Sequence, residues 1–185
     1  CVKLTDGTIM LSKKKEVPKQ TTQQGCWSAV LSDMLNHFGV DLSQQDVRGY
    51  RPDIHPDKIN TASAKNLVDR LNSDKRNEIY DMVDLIQRTV PNVAYHHMAL
   101  DAFGQESKSV FKQKVEDSLL NQNSPVALLY KNHYVSIVGI RDNTIIVQDP
   151  NPKTKEKYQE ISIDAVFNES AQYEQYQIMI DWLED

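Results

Sequence analysis

A cysteine that opens an apolar helix is the residue of this chain best suited to covalent chemistry. Cys26 stands in Gln20-Thr-Thr-Gln-Gln-Gly-Cys26-Trp27, with a glutamine upstream and a tryptophan directly after it. Trp27, Val30, Leu31, Met34, Leu35 and Phe38 recur at three- and four-residue intervals, which predicts a helix with one apolar face. Gly39 suits the left-handed residue that ends such a helix. Cys26 then lies at or beside a helix N-terminus, where unpaired N–H groups and the positive end of the dipole favour a thiolate. A thiolate is the form that attacks a carbonyl carbon. A buried structural cysteine would carry a similar apolar surrounding. The rest of the chain must therefore supply a base and an orienting group before chemistry is indicated.

Five histidines are available as bases. His37 lies on the same helix, eleven residues and roughly 16 Å along, too far to serve. His55 falls in the loop Arg51-Pro-Asp-Ile-His-Pro56. His96 and His97 are adjacent in a segment that suits a short strand, so one of them faces inward. A metal site from His96, His97 and Asp101 is the weaker reading of that segment, because neighbours on a strand point to opposite faces. His133 stands at the head of the most apolar strand, after the turn-like Lys131-Asn132. Asp149 ends the next strand, in Ile145-Ile-Val-Gln-Asp149-Pro150.

A hairpin turning at Asp142-Asn143 puts position 133 near about 152 and position 137 near about 148, so His133 and Asp149 share one end of the ribbon. There Asp149 can accept Nδ1–H of the imidazole and fix its tautomer. Gln20, with the backbone N–H of Cys26, can form an oxyanion hole. Gln23 and Gln24 compete for that role, and spacing favours Gln20.

These residues must be positioned by one domain, since 185 residues make about one core. Hydrophobic and charged fractions of 39% and 25% are those of a globular chain, and no apolar run reaches the ~18 residues of a membrane span. A net charge of −5 argues against a nucleic-acid surface, and Lys13-Lys14-Lys15 with Lys19 reads as a solvated leader. Cys1 and Cys26 have no C-x-x-C or C-x-x-H neighbours, and a disulfide between them would consume the nucleophile, so none is expected. A first-position cysteine is also what a lipoprotein signal peptidase leaves. Read that way, the protein is exported and lipid-anchored at Cys1, whereas an arbitrary boundary carries no such meaning.

Residues 1–19 read as an arm or leader remnant, with a strand candidate at Thr8–Ser12. Residues 20–185 read as one domain. Its helices are expected at 26–38, from Ser43 onward, at 63–71, 79–90 and 107–120. Its strands are expected at 126–130, 134–140, 144–147, 158–163 and 173–181. Helices first and strands second is the α+β pattern, with a cleft between a helical part and a sheet.

Gln20-(five residues)-Cys26-Trp27, His133 in Asn-His-Tyr-Val-Ser-Ile-Val-Gly, and Asp149 in Val-Gln-Asp-Pro together resemble the papain-like cysteine peptidases. The likeness is greatest to their compact bacterial branches, the double-glycine leader peptidase-like domains and the papain-like effector proteases of plant pathogens. The resemblance implies a two-lobed α+β fold with the nucleophile helix packed on a C-terminal antiparallel sheet. It implies Cys26 as nucleophile, His133 as general base and acid, Asp149 as orienter and Gln20 as oxyanion donor. It also implies a peptide or protein substrate, no metal or organic cofactor, and a bacterial secreted or effector-type setting. The chain departs from papain itself in having Asp149 rather than Asn, and in lacking the extra cysteines of the secreted papain enzymes. Residues 40–125 match no part of the family pattern. The same chemistry serves a deamidase or a transglutaminase, and an inactive peptide-binding module of this fold would be expected to have lost Cys or His.

Overall fold

Short β-branched runs separated by turn residues build an antiparallel sheet through the middle of the molecule. The structure, a computed structural model, describes residues 2–23, 25–39, 41, 43–48, 94–172 and 177–184. The strands are β1 (Val2–Lys3), β2 (Ile9–Met10), β3 (Ala94–Asp101), β4 (Val126–Tyr130), β5 (His133–Arg141), β6 (Thr144–Gln148), β7 (Gln159–Ser162) and β8 (Gln177–Glu184). The helices are α1 (Cys26–His37), α2 (Gln44–Arg48), α3 (Ser107–Leu120) and α4 (Ile163–Ser170). The strand order is β1-β2-β5-β4-β8-β3, with β6 on β5 and β7 on β6. The class is α+β, as the sequence order implies.

Turn chemistry fixes the hairpins around β5. Lys131 and Asn132 both take left-handed backbone conformations, with φ of 53° and 58°, so that Tyr130 pairs directly with His133. A two-residue turn of this kind matches the twist of the strands it joins. Strand β5 is buried from Tyr134 to Ile140, as expected of a central strand covered on both faces. On one face, Val135, Ile137, Ile145 and Val147 pack with Phe111, Val115 and Leu119 of α3 and with Val166 and Phe167 of α4. The rings of Phe111 and Phe167 meet edge to face at 5.7 Å. The other face receives α1, whose Asp33 accepts a hydrogen bond from Ser136 of β5 at 3.2 Å.

Helix α1 is more deeply enclosed than its apolar stripe suggests. Residues Trp27 to Leu35 are all buried, including Ser28, Ser32 and Asp33. It ends as the sequence predicts: Gly39 has φ of 87°, and its N–H returns to the carbonyl of Asn36 at 3.0 Å.

Two expectations near the C-terminus require correction. The strand foreseen at 158–163 stops at Ser162, and Ile163 opens a helix instead of ending the strand. Ser162 Oγ caps that helix by accepting the N–H of Ala165 at 3.0 Å, and Ile163, Val166 and Phe167 supply its buried face. The last strand, described from Gln177, runs on to Glu184, past the expected end at Asp181, and residues 173–176 lie outside the described residues. The helices foreseen at 63–71 and 79–90 and the loop at 51–56 lie outside the described residues.

The N-terminal residues enter the sheet. Strand β2 pairs with β5 at Ile9↔Ile140 and Met10↔Gly139, and Ile9, Leu11 and Val17 are buried. A Cβ on Gly139 would stand 2.8 Å from the carbonyl oxygen of Ile9, so this close approach requires glycine.

Candidate active site

Cys26 is the first residue of α1 and a free thiol. The loop before it is tight. Gly25 donates to the carbonyl of Thr22 at 3.1 Å, and a Cβ there would lie 2.6 Å from Thr22 Oγ1. The first helical bond runs from Ala29 N–H to the carbonyl of Gly25 at 3.1 Å. The cap residue, Gly25, has no side chain to cap the helix start.

His133, the first residue of β5, reaches both Cys26 and Asp149. Its Nε2 lies 2.6 Å from Asp149 Oδ1, and Cys26 is near enough to act on the ring. The expected contact through Nδ1 is thereby corrected: the acid uses Nε2, the ring nitrogen farther from the backbone. Burial pulls the His133 imidazole down, but the hydrogen bonds and charges of Asp149 and Cys26 outweigh it and raise it to about 9. Asp149 is held low. Burial pushes its carboxyl up, and the His133 hydrogen bond, the N–H of Asn151 and the charges of His133 and Lys19 overcome that push.

The hairpin register departs by one residue from the expected one. Ile140 pairs with Ile145, yet Ile137 pairs with Val147 and Ser136 with Gln148. Val138 is the extra residue, a bulge in β5 whose carbonyl accepts the N–H of Leu11 at 2.9 Å. A one-residue slip exchanges the faces of a strand. Continuing the observed register puts Asp149 opposite Val135, in step with His133. The unbulged register would have placed it opposite Ser136, whose hydroxyl serves α1.

Gln20 is held by its own loop. Its Nε2 donates to the carbonyls of Thr22 and Gln23, both at 3.1 Å, and its backbone N–H donates to the carbonyl of Pro150 at 2.7 Å. Both amide hydrogens are thus occupied within the loop before Cys26. Gln23 is exposed, and Gln24 lies outside the described residues.

Of the lysines read as a solvated leader, Lys13 and Lys15 are exposed, but Lys14 is part of the interior. Lys14 forms an ion pair with Asp33 in which both side chains are 4% exposed. Burial pulls the Lys14 ammonium down and pushes the Asp33 carboxyl up, each against the attraction of the other. Lys14 Nζ also donates to Gln148 Oε1 at 3.1 Å, next to Asp149. The sequence carried only half of this signal: an aspartate inside the apolar run Val30 to Leu35 calls for a buried partner without saying which. Lys19 donates to the carbonyls of Asp149 and Thr154.

The remaining described histidines are engaged elsewhere. His37 Nε2 lies 2.8 Å from the carbonyl of Asn123, and His96 pairs with Glu184 at 2.7 Å and stacks on Trp182. His97 Nδ1 pairs with Asp181, while Asp101 accepts the N–H of Phe103 at 2.9 Å. Among the described residues, His96, His97 and Asp101 do not converge, and no group of three potential ligands does.

The sequence profile of the Peptidase_C39 like family matches residues 13–179. No curated protein matches the sequence. The peptidase domain of Streptococcus ComA, a bi-functional ABC transporter involved in quorum sensing, superposes with a TM-score of 0.54 at 15% identity, over 91% of this chain and 97% of that one. A double glycine motif protease from an AMS/PCAT transporter, solved with the leader peptide, gives 0.51 at 11% identity, over 96% and 99%. A C39-like peptidase from Bacillus anthracis gives 0.51 at 10% identity, over 94% and 96%. At these identities the structural likeness speaks for the fold.

Proposed function

The chain belongs to the Peptidase_C39 like family of papain-like cysteine peptidases, and from that premise we propose that it hydrolyses peptide bonds through Cys26, His133 and Asp149. The observation that carries this reading is the contact of His133 with a helix-opening thiol on one side and a carboxylate on the other. The Cys26 thiolate, paired with the His133 imidazolium, attacks the scissile carbonyl carbon. The backbone N–H of Cys26 and the Gln20 amide stabilise the oxyanion, Gln20 by giving up one of its two loop carbonyls. His133 gives its proton to the leaving nitrogen, and the C–N bond breaks to leave a thioester. Water then attacks the thioester, His133 takes its proton, and the thiolate departs. Asp149 keeps Nε2–H engaged throughout, so that Nδ1 alone exchanges protons with the reacting groups. The leader peptide bound by the double glycine motif protease supports a peptide as the substrate class.

Labelling with a cysteine-directed epoxide, read by intact mass, tests the reading. The expected result is one adduct on Cys26 in the wild type, lost in His133→Ala, with Cys1 as internal control. Labelling confined to Cys1, or equal in both proteins, would overturn it.

A further inference from the structure

Asp149 stands one residue beyond the end of β6, so the strand ladder does not fix its backbone. Its loop folds on itself. Asn151 N–H donates to Asp149 Oδ1 at 2.8 Å, and Thr154 N–H donates to the carbonyl of Asn151 at 3.0 Å. Turns of this kind shape a loop without placing it against the sheet or α1. The placing contacts come from the segment that leads into Cys26. Lys14 Nζ and Val17 N–H donate to Gln148 Oε1 at 3.1 and 3.2 Å, and Gln20 N–H donates to the carbonyl of Pro150 at 2.7 Å. Between them, Lys19 Nζ donates to the carbonyl of Asp149 at 3.0 Å and to that of Thr154 at 2.9 Å. The carbonyl of Lys19 in turn accepts Nε2–H of the buried Gln44 at 2.6 Å. One residue therefore joins the two ends of the aspartate loop to the segment that carries Gln20.

We propose that Lys19 is a positioning residue of the site, whose ammonium clamps the carbonyls of Asp149 and Thr154 and so holds the Asp149 carboxylate on Nε2 of His133. The kinetic consequence rests on the peptidase reading, and the geometric one does not. Ammonium-to-carbonyl bonds are charge-assisted and shorter-ranged than ion pairs, so two of them fix a loop better than one surface salt bridge would. Neither acceptor is a carboxylate, so the Lys19 charge is left to act on Asp149. His133 faces Asp149 and Cys26, and its titration therefore reports on whether the carboxylate is in place.

The test compares Lys19→Met, which removes donor and charge, with Lys19→Gln, which keeps a donor, and Lys19→Arg, which keeps both. The His133 ring titration is followed by NMR, alongside kcat, KM and the melting temperature. In Lys19→Met the His133 midpoint is expected about one pH unit below the wild type. The kcat at neutral pH is expected to fall at least about tenfold, with KM held within about twofold. Lys19→Arg should recover most of both losses. An unchanged His133 midpoint in a folded Lys19→Met protein overturns the clamp, whatever the activity does. Should Lys19→Met fail to fold, Arg near the wild-type midpoint with Gln below it supports the clamp, and both at the wild-type midpoint overturn it. A wild type without thiol reactivity would defeat the peptidase reading and leave the midpoint comparison to decide the clamp.

Discussion

Two histidine–aspartate pairs lie on one sheet, and they are mounted differently. His97 and Asp181 are direct cross-strand partners on β3 and β8, so the ladder itself aligns them. His133 and Asp149 meet across a bulged register, with the aspartate on a loop beyond its strand. The histidine side chains are almost equally exposed, 28% for His97 and 29% for His133. The aspartates differ: Asp181 is 1% exposed and Asp149 14%. Asp181 Oδ2 is buried without a hydrogen-bond partner among the described residues, whereas the Asp149 oxygens also receive Asn151 N–H and the Thr154 hydroxyl. Both imidazoles are raised, His97 by its hydrogen bond to Asp181 against burial, and His133, against burial, by Asp149 and Cys26 together. A carboxylate alongside and a raised pKa are common to both histidines, so these two features alone do not single out the site proposed for thiol chemistry. What sets the His133 pair apart is Cys26 beside the ring and a carboxylate whose second oxygen is satisfied.

Removing each histidine breaks the comparison most sharply. His133→Ala is expected to lower kcat/KM by at least about 10³-fold, measured on a peptide substrate. His97→Ala is expected to leave kcat within about threefold of the wild type. It should instead cost about 2–4 kcal/mol in urea unfolding, because a carboxylate fully inside the protein loses its partner.

Asp149→Asn sharpens the pH side of the contrast. It keeps an acceptor for Nε2–H and removes the charge, so kcat/KM is expected to fall about ten- to a hundredfold at neutral pH. In the wild type the His133 imidazolium persists up to about pH 9, and activity that needs it should decline as pH rises through that value. In Asp149→Asn this alkaline limb should move to lower pH. The same raised pKa stabilises the folded state fully below pH 6.5, the ordinary histidine value, and that contribution fades as pH rises through about 9. Unfolding titrations of wild type and Asp149→Asn between pH 6 and 10 check the sign.

Gly139→Ala has the smallest expected effect and separates the two mounts. The added Cβ presses on Ile9 and Met10 of β2, for a loss of about 1–3 kcal/mol by thermal or urea unfolding. Because β2 meets β5 beside the Val138 bulge, the NMR signals of His133 should shift while those of His97 stay in place.

The helix carrying Cys26, the hairpin carrying His133 and Asp149, and the α+β class were legible because each rests on local patterns. These are apolar spacing from Trp27 to Phe38, turn residues at 131–132 and 142–143, and β-branched runs on either side. Helix α4 was missed although the Ser162 cap and the spacing of Ile163, Val166 and Phe167 carry a signal for it, because its apolar start reads equally as the end of a strand. The ring nitrogen that meets Asp149, the Val138 bulge and the burial of Lys14 were not legible as such. Each depends on residues far apart in the chain. The bulge is met by Leu11 and Gly139 lies against β2, while Lys14 is drawn in by Asp33 and Gln148. The sequence by itself determined which groups able to do thiol chemistry stand at element ends. Only the tertiary structure decided their faces and partners, because a strand exchanges its faces with a single inserted residue, and a buried charge takes its partner from whatever element packs beside it.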